Sequence, residues 1–122
     1  MTSALIHHLV SADYYEAQPA AHPYRPEALE QDGFIHCTIE PETLLTIANA
    51  FYKNTPGPFV VLVIDPARVT AEVKYEPPLP PPPPDHPLAR TLFPHIYGPL
   101  NRDAIVAVRA ARRAEDGAFL SV

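Results

Sequence analysis

The stretch Phe59-Val60-Val61-Leu62-Val63-Ile64 is the longest apolar run in the chain, and Asp65-Pro66 closes it with a turn. A strand with no polar position has no face to give to water, so this run reads as a central strand covered on both sides. It is also far too short to cross a bilayer, which takes ~20 apolar residues. Upstream, Glu40-Pro41 opens a helix through Tyr52, because proline suits a first helical turn. Leu44, Leu45, Ile47, Ala48, Phe51 and Tyr52 recur there at helical spacing and form an apolar stripe. Downstream, Ala71, Val73 and Tyr75 alternate with Glu72, Lys74 and Glu76, the pattern of a strand with one wet face.

Working outward, Leu5 to Val10 reads as a first strand. Ser11 caps a short helix that runs to about Gln18, and Pro19 stops it. The stretch Pro19 to Pro26 holds three prolines and reads as loop. Gly33 punctuates the chain before a short strand, Phe34 to Thr38. Alternation puts Ile35 and Cys37 on one face of it and Phe34, His36 and Thr38 on the other. Phe93 to Gly98 and Ala104 to Ala110 are further extended pieces. Asp116-Gly117 signals a hairpin, with Ala118 to Val122 as its return. About six short strands and two helices, with the helices in the first half, make the fold class α+β.

The 122 residues make a single domain over positions 1–122, within the usual domain range. Proline stands at 17 positions, well above the ~5% usual share, and five are consecutive from Pro80 to Pro84. The segment 77–87 reads as a proline-rich insertion. As polyproline II, Pro77 to Pro84 would reach roughly 25 Å at ~3.1 Å per residue. The net charge is −5. An acidic surface does not attract phosphate backbones or anionic lipid, so neither nucleic acid nor membrane is an expected partner. One cysteine excludes an internal disulfide, and Met1 to Val10 has no basic leader region, so the expected compartment is the cytoplasm.

Histidines fall on three of the strands: His7-His8, His36 and His95. His22 and His86 lie in proline-rich loops and read as solvated. Neighbours along a strand face opposite ways, so only one of His7 and His8 joins a given cleft. The same rule keeps His36 from activating Cys37, which reads as a buried structural thiol. His36 with Thr38, and His95 with Tyr97, are same-face pairs. Imidazoles, a hydroxyl and a phenol suit hydrogen bonding to an uncharged, polyhydroxylated group such as a ribose. Arg25 is positioned to reach a carboxylate or phosphate, but no dense cluster of positive charge accompanies it. With four glycines in the whole chain, a phosphate loop and a dinucleotide fingerprint are excluded.

Leu5-Ile6-His7-His8-Leu9, Gly33-Phe34-Ile35-His36-Cys37-Thr38, Phe59 to Pro66 and Phe93-Pro94-His95-Ile96-Tyr97-Gly98-Pro99-Leu100 together resemble a family of small bacterial proteins of unknown function that share the ADP-ribosyltransferase-like fold. The resemblance runs from about Leu5 to Phe119, with the proline tract as an addition. It implies a split, mixed β-sheet around an NAD cleft, with NAD as the implied substrate and no further cofactor assigned. It also implies that His8 holds a ribose from the first strand. His36 would stand at or near the place of a tyrosine on the second. His95 would stand where a later strand usually carries the catalytic glutamate, with Thr38, Tyr97 and Arg25 as ligand-binding residues. Cleaving the glycosidic bond of NAD builds positive charge on the ribose, which a fixed carboxylate stabilises and a neutral imidazole does not. RNA 2′-phosphotransferases share the fold without that glutamate, but need a basic cluster that this chain lacks.

Three expectations follow. The first is a transferase or hydrolase acting on NAD or another ribosyl-nucleotide ligand, with His8, His36 and His95 as its catalytic residues. The second is a non-enzymatic nucleotide or metabolite-binding module using the same cleft. The third is a metal-dependent enzyme built on those three histidines, although they lack the spacing that presents paired ligands on one element.

Overall fold

A computed structural model describes residues 4–79 and 81–122. Met1 to Ser3, at the head of the stretch read as lacking a leader, and Pro80, within the expected polyproline run, lie outside the described residues.

Eight strands and three α-helices follow one another among the described residues. The order is β1 (Ile6–Ser11), α1 (Ala12–Ala17), α2 (Glu27–Asp32), β2 (Ile35–His36) and α3 (Pro41–Phe51). Then come β3 (Phe59–Ile64), β4 (Glu72–Glu76), β5 (Phe93–Tyr97), β6 (Ile105–Ala110), β7 (Arg112–Arg113) and β8 (Phe119–Ser121). The domain is α+β, with antiparallel sheets. No helix among the described residues is long and apolar enough to cross a membrane.

Two three-stranded sheets carry the fold, in the orders β1-β3-β6 and β2-β5-β4, and β7-β8 forms a separate hairpin. Every strand pair among them is antiparallel, so the expected mixed sheet is corrected to an antiparallel one. Chain order explains this. β4 and β5 form one hairpin with a long connection, and β2 lies against the outer side of β5 and not beside β1.

β3 occupies the centre of the first sheet, as its uninterrupted apolar sequence requires. Leu62 and Ile64 point into the main core with Ile6, Ile35, Ile96 and Leu100, all fully buried. Phe59 belongs to a second cluster with Ala48 of α3 and Phe119 of β8. α3 begins at Pro41, buries Leu44 and Ala48, and is tied to β8 by the Asn49 side chain. That amide accepts from the Phe119 N–H at 2.7 Å and donates to the Phe119 carbonyl at 3.1 Å.

The two large sheets meet at one seam, and the adjacent histidines make it. His7 and Thr38 exchange both backbone hydrogen bonds, at 2.7 and 2.8 Å. His7 Nδ1 donates to the Ile39 carbonyl at 3.0 Å, and His8 Nδ1 to the His36 carbonyl at 2.7 Å. Four bonds from two consecutive residues thus hold the β2 segment against β1.

Three sequence expectations change. α2 is a helix in a stretch for which the sequence predicts no element, ended by Gly33 in the left-handed region at φ 84°. Tyr24, inside the proline-rich loop, is fully buried and pairs through its backbone with Leu100. β4 has Glu72 and Lys74 exposed, as expected of its wet face, but Tyr75 is exposed as well and Glu76 is half-buried. The reason is the register, in which Glu76 lies opposite Phe93 on the face that also carries His95 and Tyr97.

Candidate functional site

A cleft of about 550 Å³ opens between α2, α3, the end of β1 and the 77–92 connection. That size falls in the ordinary range for small-molecule sites. The strand register builds its floor. His36 pairs with His95 and Lys74 pairs with His95 from the other side, so all three share a face, while Ile35, Ile96 and Val73 share the core face. Phe34 stacks on the His95 ring, centroids 4.0 Å apart, and leans on both His36 and Tyr97. The imidazoles of His36 and His95 meet edge to face at 5.6 Å.

His95 is 2% exposed. Its Nδ1 lies 2.9 Å from Glu76 Oε1. A carboxylate accepts, so Nδ1 carries the proton, which fixes the ring's orientation and leaves Nε2 as the other pole of the imidazole. No buried side-chain nitrogen or oxygen among the described residues lacks a partner, and Nε2 has none among them, so Nε2 is not sealed in, and His95 borders the cleft. The Tyr97 hydroxyl also donates to Glu76 Oε1. The Tyr97 hydrogen bond, followed by that of His95, holds the Glu76 carboxyl below the usual carboxylate range. The same contact with Glu76 raises Tyr97. Lys74 sits 4.9 Å from the Tyr97 ring centre.

A second imidazole–carboxylate pair stands beside the first. His36 Nε2 donates to Asp32 Oδ2 at 2.8 Å, and both side chains are 42% exposed. α2 supplies that carboxylate four residues ahead of the strand histidine.

His8 also borders the cleft, but both its nitrogens are spoken for. Nδ1 donates to the His36 carbonyl, so the neutral ring accepts at Nε2 from the Tyr24 hydroxyl, 2.8 Å away. Burial holds the His8 pKa down at about 4, so the ring is neutral at physiological pH. Burial likewise pushes the Tyr24 phenol up. His8 therefore braces the cleft wall through its ring edges.

Of the residues singled out from the sequence, His8, His36, Thr38 and His95 border one cleft. Tyr97 stands behind it, reaching the site through Glu76. Arg25 is exposed on the loop after α1, where its backbone is clamped by Gln18, and it does not border the cleft. His7 lies on the opposite face of β1 from His8, in the seam. His86 is exposed and borders the cleft from the proline-rich connection, whereas His22 does not border it. Cys37 is buried, and burial raises its thiol pKa, which keeps it protonated and unreactive. No group of three histidine, cysteine or acidic side chains among the described residues is arranged to hold a metal ion. Asp32, Glu76 and Tyr24 escaped the sequence reading. Asp32 sits on a stretch given no element from the sequence, Tyr24 on a segment read as loop, and Glu76 on a strand face read as wet.

An α+β domain of two antiparallel three-stranded sheets, with a cleft beside the second, describes the class. The chain belongs to the family described as Protein of unknown function (DUF952), whose model matches residues 9–108. It is similar in fold to protein CC0527 from Caulobacter crescentus. The crystal structure of that protein gives a TM-score of 0.74 at 21% sequence identity, covering 94% of this chain and 92% of the other. Its solution NMR structure gives 0.70 at 21% identity, covering 94% and 90%. No curated protein matches the chain.

Proposed function

We propose that the two sheets form a split sheet of the ADP-ribosyltransferase type, and that the cleft binds the ribosyl group of NAD or a related ribosyl ligand. The observation that carries this reading is the His95–Glu76 pair on the cleft floor. The resemblance implies a carboxylate at the His95 position, and here Glu76 of the neighbouring strand stands directly behind the imidazole. A ribose hydroxyl donates to Nε2, and the carboxylate on Nδ1 strengthens Nε2 as an acceptor. Thr38 and His36 supply further hydroxyl and imidazole partners along the same floor.

A second reading, binding without turnover, is favoured by one specific feature. Oε1 of Glu76 already accepts two hydrogen bonds, and Asp32 is the only acidic residue among the described ones that borders the cleft. The negative charge that would steady a developing ribosyl cation is thus held one ring away from it.

Isothermal titration with NAD, ADP-ribose and nicotinamide riboside tests the shared premise. Heat with at least one of them is expected, and it should be lost in His95→Gln. Silence from all three at millimolar concentration overturns the reading. Turnover of NAD that vanishes in His95→Gln decides for the enzyme; binding with no turnover decides for the sensor.

A further inference from the structure

We infer that the cleft takes a phosphate-free N-riboside, neutral or cationic, in preference to a dinucleotide; this rests on the ribosyl reading above. The charge around the cleft argues for it. Among the described residues no lysine or arginine borders it, and Asp32 is the one formally charged residue that does, apart from the histidines. Three basic residues elsewhere are engaged with other partners. Arg113 binds the carbonyls of Tyr52, Lys53, Gly57 and Gly117. Arg102 binds those of Pro19 and His22, and Lys74 faces Tyr97 and Glu72 on the second sheet. The amino end of α3 offers no anion site either, since Glu40 and Glu42 flank its first turn. A pyrophosphate lodged here would surrender its hydration with no cation to replace it.

The distribution of polar and apolar groups completes the description of the ligand. Three of the polar residues lie deep, with His8, Thr38 and His95 all at most 7% exposed, while Asp32, His36 and His86 are more open. The rim also carries apolar surface: Phe51 of α3 is 73% exposed and Leu79 of the insertion is 55% exposed. Both border the cleft together with Pro78, Pro82 and Leu88. A sugar seated on the imidazole floor therefore places an attached aromatic heterocycle against this rim, where an aromatic side chain and proline rings offer flat apolar surface.

The test is a titration of the unmodified protein with nicotinamide riboside and adenosine, set against NAD and ADP-ribose. Ribosides binding roughly tenfold or more tightly than the two dinucleotide-type ligands are expected. Phe51→Ala, at an exposed position, should weaken riboside binding, and Thr46→Lys, which adds a cation to the cleft wall, should narrow the gap to NAD. NAD binding as tightly as the ribosides overturns this inference and leaves the ribosyl reading standing. No binding by any of the four overturns the ribosyl reading itself.

Discussion

The first sheet and the second have the same number of strands and the same antiparallel plan, yet they spend their residues differently. The central strand of the first, β3, is apolar throughout and has five of its six residues buried. The central strand of the second, β5, reads Phe-Pro-His-Ile-Tyr, with Ile96 in the core and His95 and Tyr97 on the opposite face. The first sheet is a support built on a central strand covered on both faces, whereas the second uses one face of its central strand to hold on and the other to present chemistry. Stability and ligand binding should therefore separate when the two are mutated.

The largest effect falls on the support. Leu62→Ala, at a fully buried position, should cost about 2–5 kcal/mol of unfolding free energy in urea melts, with ligand affinity per folded molecule unchanged. Next comes the seam between the sheets. The unfolded chain protonates His8 near 6.5, while the folded chain does so only near 4. The unfolded state thus binds the extra proton between those values. Stability is at its full value above pH 6.5 and falls by about 3 kcal/mol as pH drops to 4, which urea melts across that window will register. Tyr24→Phe takes the donor from His8 Nε2 inside the core and should cost about 1–3 kcal/mol at neutral pH. The smallest structural effect belongs to the presenting sheet. Glu76→Gln should shift the thermal midpoint less than Tyr24→Phe does, yet lower riboside affinity measurably. If Glu76→Gln instead unfolds the protein, the division between support and presentation fails.

The same contrast explains what could be read from sequence. β3 was legible because six consecutive apolar residues admit few other readings, and α3 because its stripe and Pro41 agree. The face shared by Phe34 and His36, and the rule that only one of His7 and His8 joins a given cleft, follow from strand alternation; the choice of His8 rests on the family resemblance. Asp32 and Glu76 were not legible, because each acquires its role from an element with a weak local pattern. α2 is six residues with only Ala28 and Leu29 to bury, and no apolar stripe announces it. Glu76 meets His95 only because β4 pairs with β5 across the intervening residues 77–92, a register that no local period encodes. Tyr24 was hidden for the opposite reason: it is a buried residue inside a largely exposed loop, and three nearby prolines gave no sign of its anchoring.

The long connection between β4 and β5 has one more consequence. Its two ends are pinned to each other, since Glu76 pairs with Phe93, so whatever happens between them leaves the strand pairing in place. Lengthening such a loop is cheap, about 0.6 kcal/mol for each doubling. The lip of the cleft is accordingly an exchangeable part: it can be recut in size and chemistry, trading one guest for another, while the imidazole bed beneath it stays where the hairpin sets it.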